Sequence, residues 1–123
     1  MPERVADRDE IAEAYADWRI RCNDNDRLRR MLRGWDRVVH LVATDTGDRF
    51  TVEVRDQMLA ELTDGAEAVA DLIVTATSED FADLFWGDLN PSEKYMSGEI
   101  TLAGAQEDVM RLDAMSMVAF LDQ

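Results

Sequence analysis

The chain has 123 residues, 46% hydrophobic and 33% charged, which suits one domain with a real core and excludes a wholly disordered chain. Its 27 acids outweigh 13 bases to leave a formal net charge of -14, and every base except Lys94 is Arg; such a surface repels polyanions, so nucleic acid and anionic membrane surfaces are disfavoured partners. A lone cysteine, Cys22, excludes an internal disulfide and points to a reducing cytoplasm.

The first ten residues, MPERVADRDE, hold no apolar stretch of the kind a signal peptide needs. Asp7 stands three residues ahead of Glu10 as a capping pair, and Ile11, Ala14, Tyr15, Trp18 and Cys22 follow at helical spacing. After Asn23-Asp24-Asn25-Asp26, a second short helix with Leu28, Met31 and Leu32 is expected to stop at Gly34. The Asn23–Asp26 run lacks the glycine and glutamate of a calcium loop and reads as solvated. Arg27, Arg29, Arg30, Arg33 and Arg37 interleave with Asp24, Asp26 and Asp36, which reads as a mixed-charge helix face rather than a phosphate site.

From Trp35 the apolar period changes to two. Residues 37–44 and 49–55 predict a hairpin around Asp45-Thr46-Gly47-Asp48, with Phe50, Val52 and Val54 sharing a face. Residues 58–62 are expected to add a third strand, Asp64-Gly65 a turn, and residues 69–77 a central fourth strand around Leu72, Ile73 and Val74. Ser78 is placed to cap a short helix that ends at Gly87. Asn90-Pro91-Ser92-Glu93 starts another, with cap, N1 proline and acid in agreement, and Gly98 ends it. Residues 99–103 read as a fifth strand and 106–121 as a last helix. The expected organisation is one domain over 1–123: N-terminal helices in 1–34, strands in 35–77, and helices plus the last strand in 78–123, an α+β arrangement with one sheet. The longest apolar run, Met117 to Leu121, is far short of the roughly 20 residues that span a bilayer, so stable membrane insertion is not expected.

Signals for catalysis are sparse. The single histidine, His40, lies in a predicted strand with no visible nucleophile, and with 27 carboxylates any one acidic pair carries no information. The six glycines are scattered, so no phosphate cradle is formed. No catalytic residue, cofactor or metal is assigned, and the chain is read as no enzyme. What does stand out is apolar excess in the last third: Phe81, Leu84, Phe85 and Trp86, then Leu89, Tyr95 and Met96, then Val109, Met110, Leu112, Met115, Met117, Val118, Phe120 and Leu121. Methionine is unbranched and polarisable and suits a wall that adapts to varied guests, but it also fills gaps in a core. Core filling, an internal cavity and a homodimer interface all remain open on composition.

The segment from Val69 to Leu112 resembles the signature region of the sterol carrier protein type 2 lipid-transfer domain. The resemblance lies in order and spacing, at Ala70-Asp71, Gly87, Asn90-Pro91, Tyr95-Met96, Gly98, residues 100–102 and Gly104. The hairpin segment RFTVEVRDQ fits more loosely, and the first 34 residues add nothing diagnostic. The resemblance implies a five-stranded mixed sheet covered on one face by helices, with an apolar tunnel between the layers. It further implies non-enzymatic carriage or presentation of a sterol, fatty acid or acyl-chain lipid. The tunnel wall would comprise Phe81, Leu84, Phe85, Leu89, Tyr95, Met96, Ile100, Leu102, Met110 and Met115. Against it stands an accessory or interaction module of the same fold with a filled cavity. Lys94 and Glu99 depart from the family pattern near the tunnel mouth, and the net charge opposes an anionic headgroup unless Lys94 or Arg111 stands at the entrance.

Overall fold

The Asp7 carboxylate accepts from the Glu10 amide at 2.8 Å and starts helix α1, Arg8–Asn23, as its sequence predicts. Glu10 does not return the bond; its carboxylate pairs with Arg4 instead. The computed structural model describes residues 4–66 and 69–123; the first three residues of the charged N-terminal stretch, and 67–68 ahead of the fourth predicted strand, lie outside the described residues. The apolar stripe of α1 is buried as expected, and burial pushes the Cys22 thiol up to about 12 despite the neighbouring Arg21 cation. Helix α2, Asp26–Met31, closes at Leu32, earlier than the Gly34 stop that the sequence suggests. Gly34 follows in a left-handed turn at φ +70°.

Strands β1, Arg37–Ala43, and β2, Arg49–Arg55, form the predicted antiparallel hairpin, with Leu41 opposite Phe50. The third predicted strand, 58–62, requires correction. Met58–Leu59 (β3) and Thr63–Asp64 (β4) are two separate pairings, both to β2, so the sheet has six strands in place of five. Asp56 and Gln57, at φ 54° and 64°, form a two-residue turn between β2 and β3, the primed geometry that matches strand twist and usually recruits Asn or Gly.

Strand β5, Leu72–Ala76, lies parallel to β1, and β6, Thr101–Gly104, antiparallel to β5, giving the order β3-β2-β1-β5-β6 with β4 also on β2. The start of β5 is fixed by Asp71. Its backbone amide donates to the Val38 carbonyl, and its carboxylate accepts from the Val38 amide, each at 2.8 Å. This two-way clamp is the physical content of the Ala-Asp that opens the strand.

Helices α3, Ser78–Trp86, α4, Pro91–Ser97, and α5, Gln106–Leu121, complete the chain. Thr77, not Ser78, caps α3, accepting from the Asp80 amide at 3.2 Å. Ser78 is one residue inside and fully buried. Its hydroxyl donates to Asp45 at 2.7 Å and accepts from the Ala6 amide at 3.0 Å, tying the N-terminal segment to the β1–β2 turn. Burial raises the Asp45 carboxyl's pKa, but the Ser78 hydroxyl and amide bonds outweigh it and hold the group below its usual value. Asn90 and Pro91 start α4 as predicted, and Gly87 and Gly98 close α3 and α4 in the left-handed conformation.

Side chains alternate across the sheet. Val39, Leu41, Phe50, Val52, Val54, Leu72 and Val74 are buried on the face that meets the helices, whereas Arg49, Arg55 and Ile73 are exposed on the other. The fold is α+β with a mixed sheet and helices on one face, as the element order predicts. Each fully buried aliphatic or aromatic side chain of that face contributes roughly 1.5–3 kcal/mol through burial.

Candidate functional site

Helix α1 delivers Tyr15 and Trp18 against Phe81 and Phe85 of α3. Phe85 is central: its ring centroid lies 5.3 Å from Tyr15 at 82°, 5.1 Å from Trp18 and 6.3 Å from Phe81. The first is edge-on, the second tilted and the third stacked, all favourable aromatic arrangements. They hold α1 against α3, and a cavity of about 70 Å³ lies against them.

The cavity floor is the covered face of the sheet: Val39 and Leu41 of β1, Val52 and Val54 of β2, Leu59 of β3, Val74 of β5 and Leu102 of β6. The roof is Tyr15 and Trp18, then Phe81, Leu84 and Phe85, with Pro91 and Tyr95 from α4 and Ile100 just after it. Leu112, Asp113, Met115 and Ser116 of α5 close the side. Among the described residues the lining contains a single carboxylate, Asp113, and no Lys, Arg or His. The Tyr15 hydroxyl donates to the Ala60 carbonyl at 2.6 Å, and burial, the main influence, holds its pKa well above the ordinary range.

Of the residues the sequence proposes for the wall, Phe81, Leu84, Phe85, Tyr95, Ile100, Leu102 and Met115 line this cavity. Three stand elsewhere. Met96 and Met110 are 85% and 63% exposed, because Met96 is one residue, about 100° of helix, beyond Tyr95, and Met110 is five residues from Met115, on a different side of α5. Leu89 lines a second, more open cleft with Asp88, Asn90, Glu93, Lys94, Ser97 and Glu99. Sequence reasoning did not include Tyr15, Trp18, Asp113 or Ser116 in the wall. For the first two the available signal was an aromatic pair three residues apart on the buried stripe of α1. For the other two it was polar residues set beside Leu112 and Met115 on a helix face otherwise apolar.

Neither candidate cation stands free at the cavity. Lys94 pairs with Glu99 at 3.0 Å and Asp80 at 3.5 Å, and the Glu99 bond first, with Asp80, holds its pKa above the ordinary value. Arg111 stacks over Trp35, 5.9 Å from the centroid, and donates to the Met31 carbonyl at 2.6 Å. Trp35 in turn donates to Asp108 at 2.8 Å, as does Arg37 at 3.0 Å, a buried polar cluster joining α5 to the start of β1. His40 stands between Val39 and Leu41, so strand alternation turns it to the other face of the sheet. It is 8% exposed, and among the described residues its Nε2 has no hydrogen-bond partner. Among the described residues no group of three or more His, Cys, Asp or Glu is arranged to hold a metal ion, and no helix is long and apolar enough to cross a membrane.

Residues 29–120 match the family model of the alkyl sulfatase C-terminal domain. Among solved structures the chain is similar to the UbiJ-SCP2 ubiquinone synthesis protein, with 13% identity, 89% of this chain and 94% of that one covered, and a TM-score of 0.68. It is also similar to palmitated SCP2L2 from Aedes aegypti, with 21% identity, 90% and 95% coverage, and a TM-score of 0.63. The stereoselective inverting sec-alkylsulfatase Pisa1 from Pseudomonas sp. matches at 18% identity and a TM-score of 0.56, over 72% of this chain and 13% of that one. No curated protein sequence matches the chain. At these identities the structural matches establish the fold, and they bear out the sterol carrier resemblance at that level.

Proposed function

The chain belongs to the alkyl sulfatase C-terminal family and has the sterol carrier protein fold, and from that premise we propose that it binds a long apolar molecule between the sheet and the helices. The ligand is a sterol, fatty acid or acyl-chain lipid, which the protein carries or presents in the cytoplasm without chemistry of its own. The observation that carries this reading is the cavity itself, walled by aliphatic and aromatic side chains from the sheet and four helices. Concave apolar space with few polar groups is what ligand sites generally use. The similar SCP2L2 from Aedes aegypti is palmitated, which associates the same fold with an acyl group.

Magnitudes suit a shuttle. Burying about ten methylenes at roughly 0.8 kcal/mol each yields about 8 kcal/mol, of the order of the 4–15 kcal/mol cost of association. Binding is therefore modest and exchange easy. The space of about 70 Å³ holds only part of such a chain, so the walls must part to admit the rest.

That small volume also favours a second reading: an accessory module of the same fold whose cavity stays filled by its own side chains, with a homodimer as one way to cover the exposed Ile20, Met96 and Met110. The match to a C-terminal domain of a larger sulfatase fits that role. Native mass spectrometry of gently purified protein separates the two. Carriage predicts protein with lipid-sized added mass that exchanges on challenge with fatty acid, fatty alcohol or sterol. Protein that stays empty through all three challenges leaves the accessory reading, and its mass gives the oligomeric state.

A further inference from the structure

One corner of the cavity is not apolar. Asp113 and Ser116 stand three residues apart on α5 and both line the hollow. Ser92 of α4 donates from Oγ to Asp113 Oδ1 at 2.9 Å. This is the one side-chain hydrogen bond of Asp113, which leaves Oδ2 without a protein donor among the described residues. Among the described residues no Lys, Arg or His lines the cavity, and Lys94 and Arg111 are engaged elsewhere. A carboxylate, sulfate or phosphate head brought to this corner meets the Asp113 carboxylate with no counter-ion beside it among the described residues, and like charges set side by side repel. A hydroxyl head meets an acceptor in Asp113 and a donor in the Ser116 hydroxyl.

We propose that Asp113, with Ser116 beside it, receives an uncharged hydroxyl, so that the cavity selects long-chain alcohols or sterols over fatty-acid anions. This rests on the reading that the cavity binds apolar molecules and narrows the class it takes. The selection comes from a charge at one place, not from the net charge of the surface. It is therefore removable by one isosteric substitution.

The test is competition for protein-bound Nile red, an uncharged fluorescent apolar probe, by 1-dodecanol and by dodecanoate, which share a chain length and differ in the head. At neutral pH the wild-type protein binds dodecanol at least tenfold more tightly, and Asp113→Asn brings the ratio below threefold by improving dodecanoate. Ser92→Ala, which keeps the carboxylate and removes only its donor, retains the preference. Dodecanoate competing as well as dodecanol in the wild type, a ratio that survives Asp113→Asn, or a ratio lost in Ser92→Ala would each overturn the proposal. Equal competition by the two ligands leaves apolar binding intact and defeats only the head-group selection. Failure of the protein to take up Nile red or either ligand defeats the binding reading along with it.

Discussion

Phe85 is 3% exposed and touches three other rings, so it is both a core residue and a cavity wall. Phe85→Asp removes that ring and leaves a carboxylate among aromatic carbons. Truncating a buried Phe alone costs about 3–5 kcal/mol, and an unpaired buried charge adds to it. The expected outcome is a large drop in the urea midpoint and loss of fluorescent fatty-acid uptake. Phe85→Leu keeps the site apolar, costs less, and weakens uptake in a protein that still folds. Uptake unchanged in both variants removes Phe85 from the site. The sequence made Phe81, Leu84 and Phe85 legible because their helical spacing puts them on one face. It could not place Tyr15 and Trp18 against them, since that contact joins segments far apart in the chain and depends on how α1 crosses α3. Met96 and Met110 show the opposite limit. Composition marked them as wall material, but only the rotation of each helix decides which methionine faces inward, and these two face solvent.

The elements that the sequence located best are those whose ends carry local chemistry. Asn90-Pro91 and Gly98 bound α4 because cap, proline and left-handed glycine act within a few residues. The β2–β3 turn was illegible for the complementary reason. Asp56-Gln57 lacks the glycine that advertises a primed turn, and the strained backbone is supported from elsewhere, by the Asp56 amide on the Asp36 carboxylate and by the Gln57 side chain on the Arg29 carbonyl. Gly104 lies between these cases. In the sequence it stands out only as one position of the sterol carrier resemblance, and the structure supplies the physical reason. A Cβ there would lie 2.5 Å from the Asp71 carbonyl oxygen and 2.7 Å from a Leu72 methyl, so β6 can pair with the start of β5 only if the position is bare. Gly104→Ala is expected to push β6 off β5 and cost about 2–3 kcal/mol, within the range for overpacked sites. Chemical denaturation measures the loss. A change below about 0.5 kcal/mol, the level of an ordinary surface substitution, would show that the strand moves aside freely.

The α+β order and the covered sheet face were readable because period two, then period 3.6, recur in long enough runs to fix each element's kind. The depth of the space between the layers was not, since it follows from how far α4 and α5 stand from the sheet. That spacing now makes a prediction about motion. A cavity of about 70 Å³ cannot take a full acyl chain with every wall in place. The floor is a sheet of paired strands, β2 to β1 to β5 to β6, and cannot yield without breaking its ladders. The α1–α3 side is locked by four packed rings. On the remaining side Pro91 is the one buried residue of α4, and a side-chain hydrogen bond from Ser92 to Asp113 ties it to α5. Elements with few buried contacts open at the smallest free-energy cost, so the chain of a ligand should enter by parting α4 from the sheet, and bound ligand should then hold the helix down. Amide hydrogen exchange with and without saturating dodecanol tests this. Protection is expected to rise in α4 and the adjoining turns of α5. In β1 and β5 it should rise only by the uniform increment of ligand stabilisation, about 2.7 kcal/mol at a hundred times Kd. Protection that instead rises first on the open face of the sheet, around His40 and Ile73, would put the ligand on the far side and empty the cavity of its role.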